Sequence, residues 1–149
     1  MKRIGFEEAI AQILLKDVRY DAEAYRFVRE ALDFTLKLFE KPATGPARHV
    51  SGQELLDGLR RQALAEFGPM ALRVLAHWGV RRTEDVGEIV FNLVDIGALG
   101  RTDRDRREDF AGGYDFHEAF RAPFQAGTAE DRKPAAAPRR RTARSTGAE

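Results

Sequence analysis

The chain has 149 residues, 43% of them hydrophobic and 33% charged, which is the make-up of one soluble globular domain rather than two. Twenty-five Lys plus Arg against 24 Asp plus Glu leave a net charge of +1, so overall charge does not mark a polyanion binder. The absence of cysteine excludes disulfides, thiolate metal sites and cysteine nucleophiles. The opening Met1-Lys2-Arg3-Ile4-Gly5-Phe6-Glu7-Glu8 turns acidic before any apolar run of signal-peptide length develops, and no later stretch reaches the roughly 18 uncharged apolar residues of a membrane span. The expected location is cytoplasmic, with no membrane partner.

Helical periodicity dominates positions 1–124. Phe6, Ala9, Ile10, Ile13 and Leu14 share one helical face, and Tyr25, Val28, Leu32, Leu36 and Phe39 form a second stripe behind Asp21, a favourable N-cap residue. Phe27, Phe34 and Leu38 widen that stripe and predict a helix packed on more than one side. Lys41-Pro42-Ala43-Thr44-Gly45-Pro46 breaks the pattern as a candidate linker. Ser51 and Glu54 have the spacing of a capping box, Val50 and Leu55 that of a hydrophobic staple, and Leu55, Leu56, Leu59, Ala63 and Phe67 carry the third stripe to Gly68. Pro69 opens a short fourth helix with Met70, Val74, Leu75 and Trp78 on its buried face and Gly79 at its end. Thr83 is the expected cap of a fifth helix, with Glu84 and Asp85 at its positive end, Val86, Ile89, Val90, Leu93 and Val94 inward, and Gly97 as its stop.

Beyond Gly97 the helical period is lost. Residues 98–102 and 110–116 read as two short strands, or the latter as an aromatic loop, around the charged run 103–109. The expected fold is mainly α, a five-helix single domain over 1–124. It is either an irregular bundle or, in its second half, winged-helix-like: helices 51–67, 69–78 and 83–96, a helix-turn-helix corner at Gly79-Val80-Arg81-Arg82, and a small C-terminal β-hairpin. From Gln125 onward only Ala and Pro supply apolar side chains, so 125–149 reads as a disordered Ala/Pro/Arg-rich tail. It holds six basic and three acidic residues, which leaves 19 basic and 21 acidic in the body: an acidic domain with a basic tail.

Chemistry-bearing patterns are sparse, and no cofactor or metal is expected. Asp115 and His117 match no strong ligand spacing, and an N-cap aspartate beside a surface histidine explains them. Asp103, Asp105 and Asp109 lack the glycine of a calcium loop and alternate with arginines. His49 lies two residues before Ser51, but the capping box accounts for the hydroxyl and no G-x-S-x-G surrounds it. Trp78 continues a core face, and Phe110, Tyr114, Phe116, Phe120 and Phe124 form either a lid on the core or a docking surface. On the fifth helix Glu84, Asp85, Glu88 and Asp95 face away from the apolar stripe. They would repel DNA phosphates and are candidate contacts for a protein partner. In the tail, Arg139, Arg140, Arg141 and Arg144 are candidate contacts for a nucleic-acid backbone, ribosomal RNA included.

The run His49-Val50-Ser51-Gly52-Gln53-Glu54-Leu55-Leu56, then Phe67-Gly68-Pro69-Met70-Ala71, Trp78-Gly79, 83–90 and Asp109-Phe110 resembles an uncharacterised bacterial protein family of planctomycete and verrucomicrobial genomes. The resemblance covers most of positions 5–124. It implies a bacterial cytoplasmic single-domain protein and brings no catalytic residue or cofactor. The functional expectation is therefore a non-catalytic protein-interaction or adaptor domain; the alternative is a nucleic-acid or ribosome-associated factor acting through a winged-helix-like body or the arginine-rich tail.

Overall fold

The computed structural model describes residues 5–42, 49–99 and 107–124. Residues 43–46 of the candidate linker, 103–106 of the charged run, 100–102 of the first predicted strand and the tail with its four arginines lie outside these residues. The fold is mainly α and, among the described residues, forms a single domain of five α-helices: α1 (Phe6–Leu14), α2 (Ala22–Leu38), α3 (Gly52–Phe67), α4 (Ala71–His77) and α5 (Thr83–Asp95). Short 3-10 turns occupy Gly68–Met70, Arg107–Phe110 and Ala122–Phe124, and a π turn spans His117–Arg121.

Local chemistry sets most helix starts. Asp21 accepts from the Glu23 amide at 2.9 Å and so satisfies one of the orphan donors of α2. At α3 the Ser51 hydroxyl accepts from the Glu54 amide at 3.1 Å while the Glu54 carboxylate accepts from the Ser51 amide at 3.0 Å, closing the capping box. The hairpin of α2 against α3 is the main packing contact. Thr35, fully buried on α2, lies against Gly58 of α3, where an added Cβ would collide with its hydroxyl. That hydroxyl is spent on the Ala31 carbonyl one turn back, at 2.6 Å. Phe27, Phe67 and the half-buried Trp78 meet with ring centroids 5.5–5.8 Å apart, so Trp78 is packed into the core edge as its stripe predicts.

α5 is the centre of the domain. Val86, Ile89 and Leu93 are fully buried among the preceding helices, and Thr83, Gly87 and Phe91 are buried on a second side. That second side is covered by residues 107–116. The Phe110 ring lies over Gly87, where a Cβ has no room, and meets Phe91 edge-on at 6.1 Å. The hairpin strand predicted over 110–116 is therefore replaced by a 3-10 turn, a tight turn and extended coil, and among the described residues no strand occurs. The physical reason is that Thr83 satisfies the backbone there: its hydroxyl donates to the Phe110 carbonyl at 2.6 Å and accepts from the Gly113 amide at 3.0 Å. Burial on two sides leaves Glu84 and Asp95 as the exposed residues of α5, and two carboxylates make a poor face for a DNA groove. Thr83 itself is not the cap. Asp85 reaches back to the amides of Arg81 and Arg82, at 2.9 and 3.3 Å.

The aromatic segment is a lid. Phe110, Phe116 and Phe120 are buried, Tyr114 is half-buried with its hydroxyl donating to the Leu56 carbonyl at 2.8 Å, and Phe124 alone remains largely exposed. No helix among the described residues is long and apolar enough to cross a membrane.

Candidate functional site

A cleft of about 560 Å³ opens between the start of α4 and the C-terminal π turn. Pro69, Met70, Leu72, Ala76 and Phe116 form its apolar floor, and Arg73, Arg81, His117 and Arg121 its polar rim.

Each wall has a local cause. Gly68, at φ +52°, stops α3, and Pro69 starts the 3-10 turn that leads into α4. This turn rotates Met70 off the buried face the helical period assigns it, and it stands 48% exposed. Gly79, at φ +92°, packs against the Arg19 carbonyl so closely that any side chain would be excluded. Val80 is then buried and Arg81 emerges onto the surface. In the π turn, Phe116 and Phe120 point inward and meet edge-on at 5.0 Å, while His117 and Arg121, one position later in each case, stay exposed. Asp115 accepts from the Glu118 amide at 3.1 Å, the N-capping role its position predicts.

Five of the seven described arginines outside the rim are ion-paired, and Arg29 and Arg82 are not. Arg19 pairs with Asp17 and Glu88, Arg26 with Glu7 and Glu23, Arg60 and Arg61 with Asp57, and Arg107 with Glu88. Among the described residues no carboxylate lies within ion-pair distance of Arg73, Arg81 or Arg121. Three guanidinium groups thus surround one apolar floor with their hydrogen-bond donors available. Such groups bind and orient anions bidentately but do not exchange protons near neutral pH.

The carboxylates of α5 also have partners within the chain. Asp85 accepts from the Tyr20 hydroxyl at 2.7 Å as well as from the two amides, and Glu84 accepts from the Gly112 amide at 3.1 Å. Glu88 holds Arg107 at 2.9 Å and Arg19 at 3.3 Å, and the Arg107 guanidinium keeps its carboxyl below the usual range. Asp95 is exposed. Three of these four carboxylates fasten the α1–α2 loop and the 107–113 segment to α5, and any partner approaching them competes with those bonds. Asp17 extends the same network. It bonds Arg19 and Asn92, and the Arg19 guanidinium drives its carboxyl far below the ordinary carboxylate value.

His49, His77 and His117 sit on different elements, and no group of three or more His, Cys, Asp or Glu able to hold a metal occurs among the described residues. Sequence reasoning missed the arginine rim, because Arg121 lies 40 residues beyond Arg81 in the chain. One signal was available. Phe116 with Phe120 and His117 with Arg121 are each four apart and offset by one residue, so one pair buried exposes the other. Comparison of the chain with family models, with curated proteins and with solved structures gives no match.

Proposed function

We propose that this protein is a non-catalytic interaction domain that binds an anionic partner in the cleft between α4 and the C-terminal π turn. The observation that carries this reading is the set of three arginines around an apolar floor that, among the described residues, have no carboxylate in pairing distance. Exposed guanidinium groups beside an apolar floor suit ligands that combine negative charge with apolar bulk. The test is fluorescence anisotropy of a fluorescein-labelled glutamate-rich peptide, single-stranded RNA and duplex DNA, each titrated with the native chain and with an Arg73→Glu/Arg121→Glu variant. Peptide binding that the variant loses supports the reading. If no anionic probe distinguishes the two proteins, the reading fails.

A second reading, a nucleic-acid or ribosome-associated factor, is favoured by Arg139, Arg140, Arg141 and Arg144 in the sequence. It is supported if RNA binding is indifferent to the cleft variant, falls steeply with salt and disappears when those four arginines become glutamine.

A further inference from the structure

We infer that the occupant of the cleft is an acidic amphipathic segment of a partner protein, its aliphatic side chain seated on the floor and its flanking carboxylates on Arg73, Arg81 and Arg121. This rests on the cleft being the anion-binding site proposed above and adds what kind of anion it takes.

The floor decides between ligand classes. Met70, half-exposed, is an unbranched and polarizable side chain of the type that moulds itself to aliphatic partners. Leu72 and Ala76 present aliphatic carbon beside it. The one aromatic, Phe116, is 3% exposed, stacked with Tyr114 at 5.9 Å and edge-on to Phe120 at 5.0 Å. Its faces are committed to the lid, so the cleft lacks the open aromatic platform on which single-stranded nucleic acids stack their bases. An inorganic phosphate or a bare polyanion would satisfy the guanidinium groups but leave the floor wet. A peptide with an aliphatic residue between acidic ones satisfies both, and a cleft of about 560 Å³ accommodates a few side chains rather than a whole helix. Carboxylates match the planar guanidinium fork in two parallel hydrogen bonds, which fixes orientation as well as adding charge.

The experiment is selection of a phage-displayed library of random linear peptides on the immobilised full chain. Winners are then synthesised with a fluorescein label and titrated by anisotropy at physiological salt. The expected result is enrichment of peptides carrying Asp or Glu around Leu, Ile, Val or Met. Their affinity should fall by about tenfold or more when the aliphatic residue becomes Ser, the scale of one buried leucine side chain. It should fall by about tenfold or more in the Arg73→Glu/Arg121→Glu variant, the scale of one charge-assisted pair. Both arginines are exposed and unpaired among the described residues, so the variant should melt as the native chain does by circular dichroism. Acidic winners indifferent to the aliphatic residue would overturn this inference while leaving the anion site standing. Winners bound equally by the variant, or no enrichment at all, would remove both. Single-stranded RNA competing as well as the best peptide would overturn the inference in favour of nucleic acid.

Discussion

Thr83→Val is the most informative single substitution in the fold. Thr83 is 1% exposed, and its hydroxyl donates to the Phe110 carbonyl at 2.6 Å and accepts from the Gly113 amide at 3.0 Å. Valine keeps the shape and removes only the polar atom, so it leaves a carbonyl and an amide without their partner. Each such orphan costs about 1–3 kcal/mol when buried, and with Gly113 at the margin of the core we expect a net loss of about 2–4 kcal/mol. Thr83→Ser makes the opposite cut: it keeps both bonds and removes the methyl that packs against Gly113, for a loss of about 1 kcal/mol. The order native, Ser, Val runs against hydrophobicity and against helix-interior packing alone. Urea unfolding followed by Trp78 fluorescence and by far-UV circular dichroism measures it. Because Phe116, His117 and Arg121 follow this staple in the chain, the valine variant should also weaken anion binding in the cleft. A valine variant as stable as the native chain, or less damaged than the serine one, would refute the assignment of Thr83 as the staple of the C-terminal segment.

Two further predictions follow from the same contacts. Gly58→Ala should destabilise by about 1–3 kcal/mol through overpacking against Thr35, despite the better helix propensity of alanine, and Thr35→Ala in the same chain should recover part of that loss in a double-mutant cycle; simple additivity of the two losses would contradict the close α2–α3 approach. Asp17, Glu54 and Glu88 all have carboxyls held below their ordinary values, by Arg19, by the Ser51 amide and by Arg107 respectively. With folded values depressed, the unfolded chain takes up protons first as pH falls, so their stabilisation is present above about pH 5 and is lost progressively from about pH 4 downward. Asp17→Asn should therefore be less stable than the native chain at neutral pH, with the gap closing in acid; a gap that stays constant with pH would contradict the Asp17–Arg19 coupling.

The helices were legible because their ends are written in local chemistry. Asp21, the Ser51/Glu54 pair, Pro69 and Gly79 act within four residues of themselves, and the structure uses each as its type predicts. What escaped was everything decided by distant parts of the chain. Thr83 is a good N-cap residue by type, yet its hydroxyl is drawn to Phe110 and Gly113 and the capping falls to Asp85. Gly87 and Phe91 gain no inward role from helical periodicity, because the second buried side of α5 exists only once Phe110 folds across it. Met70 fits a helical stripe in sequence, but the positive-φ Gly68 shifts the phase of the chain just before it. The carboxylates of α5 look free when only their own helix is considered; Tyr20, Arg19, Arg107 and Gly112, which take up three of them, come from 28 or more residues away or from the segment that closes over the helix. The arginine rim is the same case in reverse, since nothing at positions 73, 81 or 121 announces that the chain brings them to one cleft with no counter-charge among the described residues.

The most direct test of the account is backbone-amide NMR of the isotope-labelled full chain during titration with an acidic, leucine-containing peptide. The account predicts that shifts concentrate at Leu72, Arg73, Ala76, Arg81, His117 and Arg121 on the two walls of the cleft. Shifts confined to the exposed acidic side of α5 around Asp95, or spread without focus over the surface, would contradict it.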